Sequence, residues 1–208
     1  MRDRAIWTIA LSTAAIAAIG IAVSVLYVLP RVSSQRPGPA TGTASPTPPP
    51  SPAVVTFAAS ADTYVQADTP TTSYGTDKQV VVDGLPQRRT FLRFTVSGLT
   101  GPVTRAVVRL HTIASNTGSE SGGTWQAMTD TTWSETTVTW NDQPEIGGET
   151  VGALGSVMRA TWYEFDVTSL ITGDGTFAIA GTSTIDDGAY FDTRETGETG
   201  PQLVVTTG

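Results

Sequence analysis

The sequence predicts an all-β domain, an antiparallel β-sandwich of jelly-roll type, preceded by one N-terminal transmembrane helix and a disordered Pro-rich linker. Three observations carry this. From residue 53 onward, short apolar or alternating runs recur between turn residues, and no long stretch repeats apolar residues at helical spacing. Those 156 residues hold 31 Thr and 18 Gly, a mix that favours strands and turns. The residues before them are chemically different, an uncharged apolar run followed by a segment with almost nothing to bury.

The apolar run covers residues 5–29. At about 1.5 Å per residue it spans roughly 37 Å as a helix, enough to cross a hydrocarbon core of about 30 Å. A cleaved signal peptide has an apolar region of only about 7 to 15 residues and ends in a small-x-small cleavage site. This run ends instead in Leu26-Tyr27-Val28-Leu29-Pro30-Arg31. Residues 1–30 are therefore read as an anchor that stays in the cell membrane. Arg2 and Arg4 balance Arg31 and Arg36 across it, and the short leading tail points to a cytoplasmic start with the C-terminal domain extracellular. Residues 31–52 form the linker, because 37–52 consist of Pro, Thr, Ser, Gly and Ala alone. Extended at about 3.1 Å per residue, the linker reaches roughly 70 Å and stands a folded domain clear of a membrane.

The domain, residues 53–208, is expected to form strands over 54–59, 63–66, 79–82, 91–96, 104–113, 124–128, 136–140, 162–167, 176–180, 189–193 and 202–206. Asp83-Gly84, Ser97-Gly98, Asn116-Thr117-Gly118, Gly147-Gly148, Gly173-Asp174-Gly175 and Asp187-Gly188 punctuate them with turn chemistry. Asp166 is placed to cap a single helical turn that Gly173 ends.

Composition narrows the chemistry. The chain has no Cys and a single His, His111, which excludes disulfides, a thiol nucleophile, Cys-ligated metals and a multi-histidine metal centre. The domain carries 18 acidic and 8 basic residues, a net charge of -10 with Lys78 its one lysine, which argues against a nucleic-acid partner.

The spacing of several motifs resembles one family. Ala61-Asp62-Thr63-Tyr64, Ser73-Tyr74-Gly75 and Phe91-Leu92-Arg93-Phe94 open the match. Trp133-Ser-Glu-Thr-Thr-Val-Thr-Trp-Asn-Asp-Gln-Pro144 is its most specific part, and Trp162 to Thr168, Phe191-Asp-Thr-Arg-Glu195 and Pro201 to Val205 complete it. These residues resemble the DNRLRE-type domains grouped with the family 96 carbohydrate-binding modules. The resemblance implies a bacterial, secreted or surface-attached β-sandwich associated with polysaccharide enzymes, with alginate binding through a lysine-rich surface as the family's named activity.

Candidate ligand contacts follow from chemistry. Arg88, Arg89, Arg93 and Arg109 offer planar two-point hydrogen bonds suited to uronic-acid carboxylates, with Arg93 and Arg109 side by side if their strands are neighbours and Arg88 and Arg89 in the loop before. Internal acids such as Asp83, Asp192 or Glu195 are the competing partners. Aromatic rings cover the C–H face of a pyranose. Trp133, Trp140 and Trp162 are expected to pack, with Val138 and Trp140 on one core face, which leaves Tyr74 and Trp125, near Gly- and Ser-rich loops, as candidate platforms. Asp186 and Asp187 beside Gly188 are the best local fit to a calcium ion, although no D-x-D-x-D-G loop is present. No spacing singles out a pair of carboxylates, and no G-x-S-x-G elbow gives His111 a nucleophile.

The expectation is a membrane-tethered, extracellular polysaccharide-binding module without catalysis or a required cofactor. A structural or adhesive surface domain with a protein partner is the alternative.

Overall fold

The computed structural model describes residues 51–208, so the anchor over 1–30 and most of the linker over 31–52 lie outside the described residues. Ten strands follow: β1 (Ala53–Gln66), β2 (Gln79–Gly84), β3 (Gln87–Val96), β4 (Val103–His111), β5 (Gly123–Met128), β6 (Thr150–Leu154), β7 (Trp162–Asp166), β8 (Gly175–Thr182), β9 (Ala189–Asp192) and β10 (Gln202–Thr207). A short 3-10 helix, Arg194–Thr199, precedes β10. Every strand pairing is antiparallel.

The strands run in the order β6-β5-β8-β3-β1-β10-β4-β7, and the two end strands of that path, β6 and β7, come back against each other. β1 makes the corner. Its first part, from Ala53 to Ala58, pairs with β10, and from Ala59 onward it pairs with β3, with a register shift between Ala59 and Ala61. A bulge of this kind adds twist and turns one strand from one sheet into the next. β2 leaves the main path, pairing with the start of β3 and along its length with β9.

Between the facing sheets lies the main core, including Leu92, Phe94, Val108, Leu110, Trp125, Phe165, Phe191 and Leu203. A second apolar cluster occupies the outer face of β1, β3 and β8, where Ala61, Val65, Phe91, Ala178 and Ala180 are covered by Trp133 and Val138. Those two residues belong to the long β5–β6 connection, residues 129–149, which lies across the sheet as a strap. Phe91 and Leu92, adjacent and pointing to opposite faces, are both fully buried for this reason.

Several expectations are corrected here. The runs 54–59 and 63–66 are one strand. Residues 136–140 form no strand but a turn closed by the bond from Val138 N–H to the Ser134 carbonyl. Thr150–Leu154 is a strand that was not expected. At Asp166 the carboxylate accepts from Thr168 N–H at 2.8 Å and one tight turn follows, with Leu170 N–H bonded to the Val167 carbonyl. Arg88 and Arg89 lie in β3 rather than in a loop.

Candidate functional site

The motifs that are most distinctive in sequence meet at one structural knot. Glu135, on the strap, accepts from the Asp62 backbone N–H at 3.0 Å and from Arg194 Nη2 at 2.6 Å and Nε at 3.1 Å. Asp62 Oδ2 accepts from Arg194 N–H at 2.9 Å, while its other oxygen is buried without a partner among the described residues. Burial, helped by the charges of Glu195 and Glu135, pushes the Asp62 carboxyl up to about 7 against the lowering effect of the Arg194 N–H bond. Ser73 Oγ donates to the Glu135 carbonyl, and a Cβ on Gly75 would stand 1.8 Å from that oxygen, so only glycine permits the approach. This knot holds the strap on β1 and on the 3-10 helix.

The strap in turn contributes Ile146 to the lining of a cleft of about 300 Å³. Arg88, Arg89, Gln126, Ile146 and Thr184 line it, and Asp83 is its one acidic residue. Arg89 is positioned by the strap: its guanidinium lies over the Trp140 ring, 4.5 Å from the centroid, and Nη1 donates to Gln143 Oε1 at 3.1 Å. Arg89 has no carboxylate partner among the described residues. Arg88 is held more fully. It donates to Gln66 Oε1 at 2.8 Å and to Tyr190 Oη at 2.8 Å, and it reaches Asp83 at 3.5 Å. A guanidinium stacked on an aromatic ring keeps unused in-plane donors in a fixed direction, which suits a carboxylate-bearing ligand.

The other expected contacts separate. Arg93 and Arg109 are not side by side, because β1 and β10 stand between β3 and β4. Arg93 is held by backbone rather than by an acid, donating to the carbonyls of Thr131 and Trp133 and lying 4.9 Å from the Trp133 ring centroid. Arg109 pairs with Glu164 at 2.8 Å and Gln202 at 3.0 Å, and sits 4.7 Å from the Trp162 centroid. Trp125 is fully buried, stacked on Phe165 at 5.4 Å, so its ring is not available to a sugar. Tyr74 is half-buried with a face against Tyr64, 4.3 Å between centroids. Trp133 is buried as expected, but Trp140 and Trp162 are only half-buried.

Asp186 and Asp187 are exposed, and Asp187 Oδ2 accepts from Glu120 N–H at 3.0 Å. Among the described residues no three acidic or histidine side chains gather as metal ligands, so the expected calcium position lacks a ligand set of that kind. His111 Nδ1 meets Asp192 Oδ2 at 2.7 Å, in a place where no nucleophile was expected. The contribution of Gln143 to the cleft was missed, and Trp140, expected to pack on the core face, orients Arg89 instead. The pairing of Trp140 with Gln143 inside one motif was the available signal.

A gellan lyase from Bacillus sp is 30% identical over 131 residues, which is 57% of this chain and 5% of that enzyme's length. Carbohydrate-binding module family 96 matches residues 53–207, from the first residue of β1 to the last of β10. On that match, which spans both sheets, the strap and the cleft, the chain belongs to carbohydrate-binding module family 96.

Proposed function

We propose that the protein is a non-catalytic module of the DNRLRE type that binds an acidic polysaccharide in the Arg88–Arg89 cleft. Residues 5–29 hold it in the membrane of a bacterial cell and the linker carries the domain outside. One observation carries the ligand: Arg89 lines the cleft, is oriented by Trp140 and Gln143, and has no acidic partner among the described residues. The same cleft supports a binding role over a catalytic one. Glycoside hydrolysis needs a pair of carboxyl groups, whereas Asp83 is the single acid there and is paired with Arg88.

Retention of the full chain on gels carrying polygalacturonate, gellan or neutral xylan tests this. Open, wet sites bind in the micromolar to millimolar range, about -4 to -8 kcal/mol. Arg89→Ala is expected to abolish most retention on polygalacturonate while shifting the melting temperature little. Arg88→Ala is expected to lower the melting temperature as well, because it leaves Asp83, nearly buried, without its cation. Absence of retention on all three gels would favour a surface domain with a protein partner.

A further inference from the structure

A groove lies on the other side of the Arg88–Tyr190 hydrogen bond from the cleft. On the β2–β9 ribbon Gln79 stands opposite Asp192 and Val81 opposite Tyr190, so Gln79, Asp192, Tyr190 and Asp83 share one side with Val81, which is buried beneath it. Two hollows lie along that side. One, of about 500 Å³, is lined by Asp77, Lys78, Gln79, Asp192 and Thr196, so that two carboxylates stand beside its one lysine. The other, of about 240 Å³, is lined by Asn116 and Tyr190, and the two share Gln79, Ile113 and Ser115, which makes them one groove. The groove ends at Tyr190, whose hydroxyl accepts from Arg88, and Arg88 lines the cleft. From Gln79 to Asp83 the ribbon runs about 13 Å at about 3.3 Å per residue, more than one pyranose ring.

Its chemistry suits a sugar chain: amides and hydroxyls for hydroxyl groups, with Ile113 and the Tyr190 ring for C–H faces. It also carries a second cation. Lys78 is exposed and pairs with no carboxylate among the described residues. Arg89 lines the cleft and Lys78 the groove, with the Arg88–Tyr190 pair between the two.

We propose that the groove continues the binding site, so that the chain bound at Arg89 crosses the Arg88–Tyr190 pair and places later residues along Gln79 to Lys78. The site then selects an extended polymer with carboxylates on more than one ring. This rests on the acidic-polysaccharide reading of the cleft.

Calorimetric titration of the full chain with oligogalacturonides of two, four and six residues tests it. Affinity is expected to climb tenfold or more with length, and Lys78→Ala combined with Gln79→Ala to bring the hexamer back to the level of the dimer while dimer binding is unchanged. Equal affinity at all lengths, or a hexamer indifferent to the double substitution, would overturn the groove and leave the cleft standing. Failure of all three oligomers to bind would overturn both.

Discussion

Asp62 shows how a single buried group shapes the energetics of the domain. The groups facing it are Glu135 from the strap and Arg194 and Glu195 from the 3-10 helix; burial first, then Glu195 and Glu135, hold its carboxyl near 7 against the lowering effect of Arg194, where an unperturbed group has 3.8. Between those two values the folded state keeps a proton that the unfolded chain has released. Stability contributed by this group is therefore full below about pH 4, falls as the pH rises towards 7, and is flat above that. Asp62→Asn, neutral throughout, is expected to melt increasingly above the parent from pH 4 to pH 7, by an amount worth a few kcal/mol at pH 8; parallel melting curves across that range would show that Asp62 is ionised in the fold. Trp125 shows what could not be read at this level. Its neighbours Gly122 and Gly123 look like an exposed loop, yet in register it stands between Gly152 and Gly181, and the space over Gly181 is filled by its own ring. That pairing joins residues far apart in the chain, so local pattern does not reveal it.

The strap explains both the successes and the errors of the strand assignments. Runs that lie inside the sheets, such as 91–96 and 202–206, alternate because one face meets the core, and they were legible. Residues 136–140 also alternate, but Val138 packs down onto the second cluster from a turn, and Thr139 N–H bonds the Asp142 carboxylate instead of a neighbouring strand. In Thr150–Leu154, Gly152 resembles loop punctuation, whereas it is glycine because a Cβ there would stand 2.4 Å from the Phe165 ring. The motif around Trp133 was recognisable as important, but not as a clamp, since its partners Asp62, Gly75 and Arg194 are distant in sequence. Gly75→Ala is expected to lift the strap away from β1. Limited proteolysis should then cut within residues 129–149, and retention on polygalacturonate should fall because Trp140 and Gln143 no longer orient Arg89; an unchanged digestion pattern would mean that the strap is held elsewhere.

The domain is closed by its two ends, with Ala53 in register with Thr207. Strand existence was legible in sequence, but this closure joins residues at opposite ends of the domain and was not. For the anchor proposed over residues 5–29, trypsin applied to intact, wall-stripped cells is expected to cut after Arg31 and release the domain, with Arg36 spared by the proline that follows; release without protease would refute the anchor. The split allegiance of β1 then acquires a mechanical meaning. With the proposed anchor and cleft, a pull from the membrane side would enter the domain at Ala53, while a bound polymer would resist at the end of β3 where Arg88 pairs with Gln66. The load would therefore run along β1, across whose length the hydrogen bonds to β10 and β3 stand perpendicular. Under the proposed anchor and binding site they would be strained together, in shear, rather than broken one after another like a zipper, which would make the strand that turns the corner of the sandwich the one that transmits tension between cell and polymer.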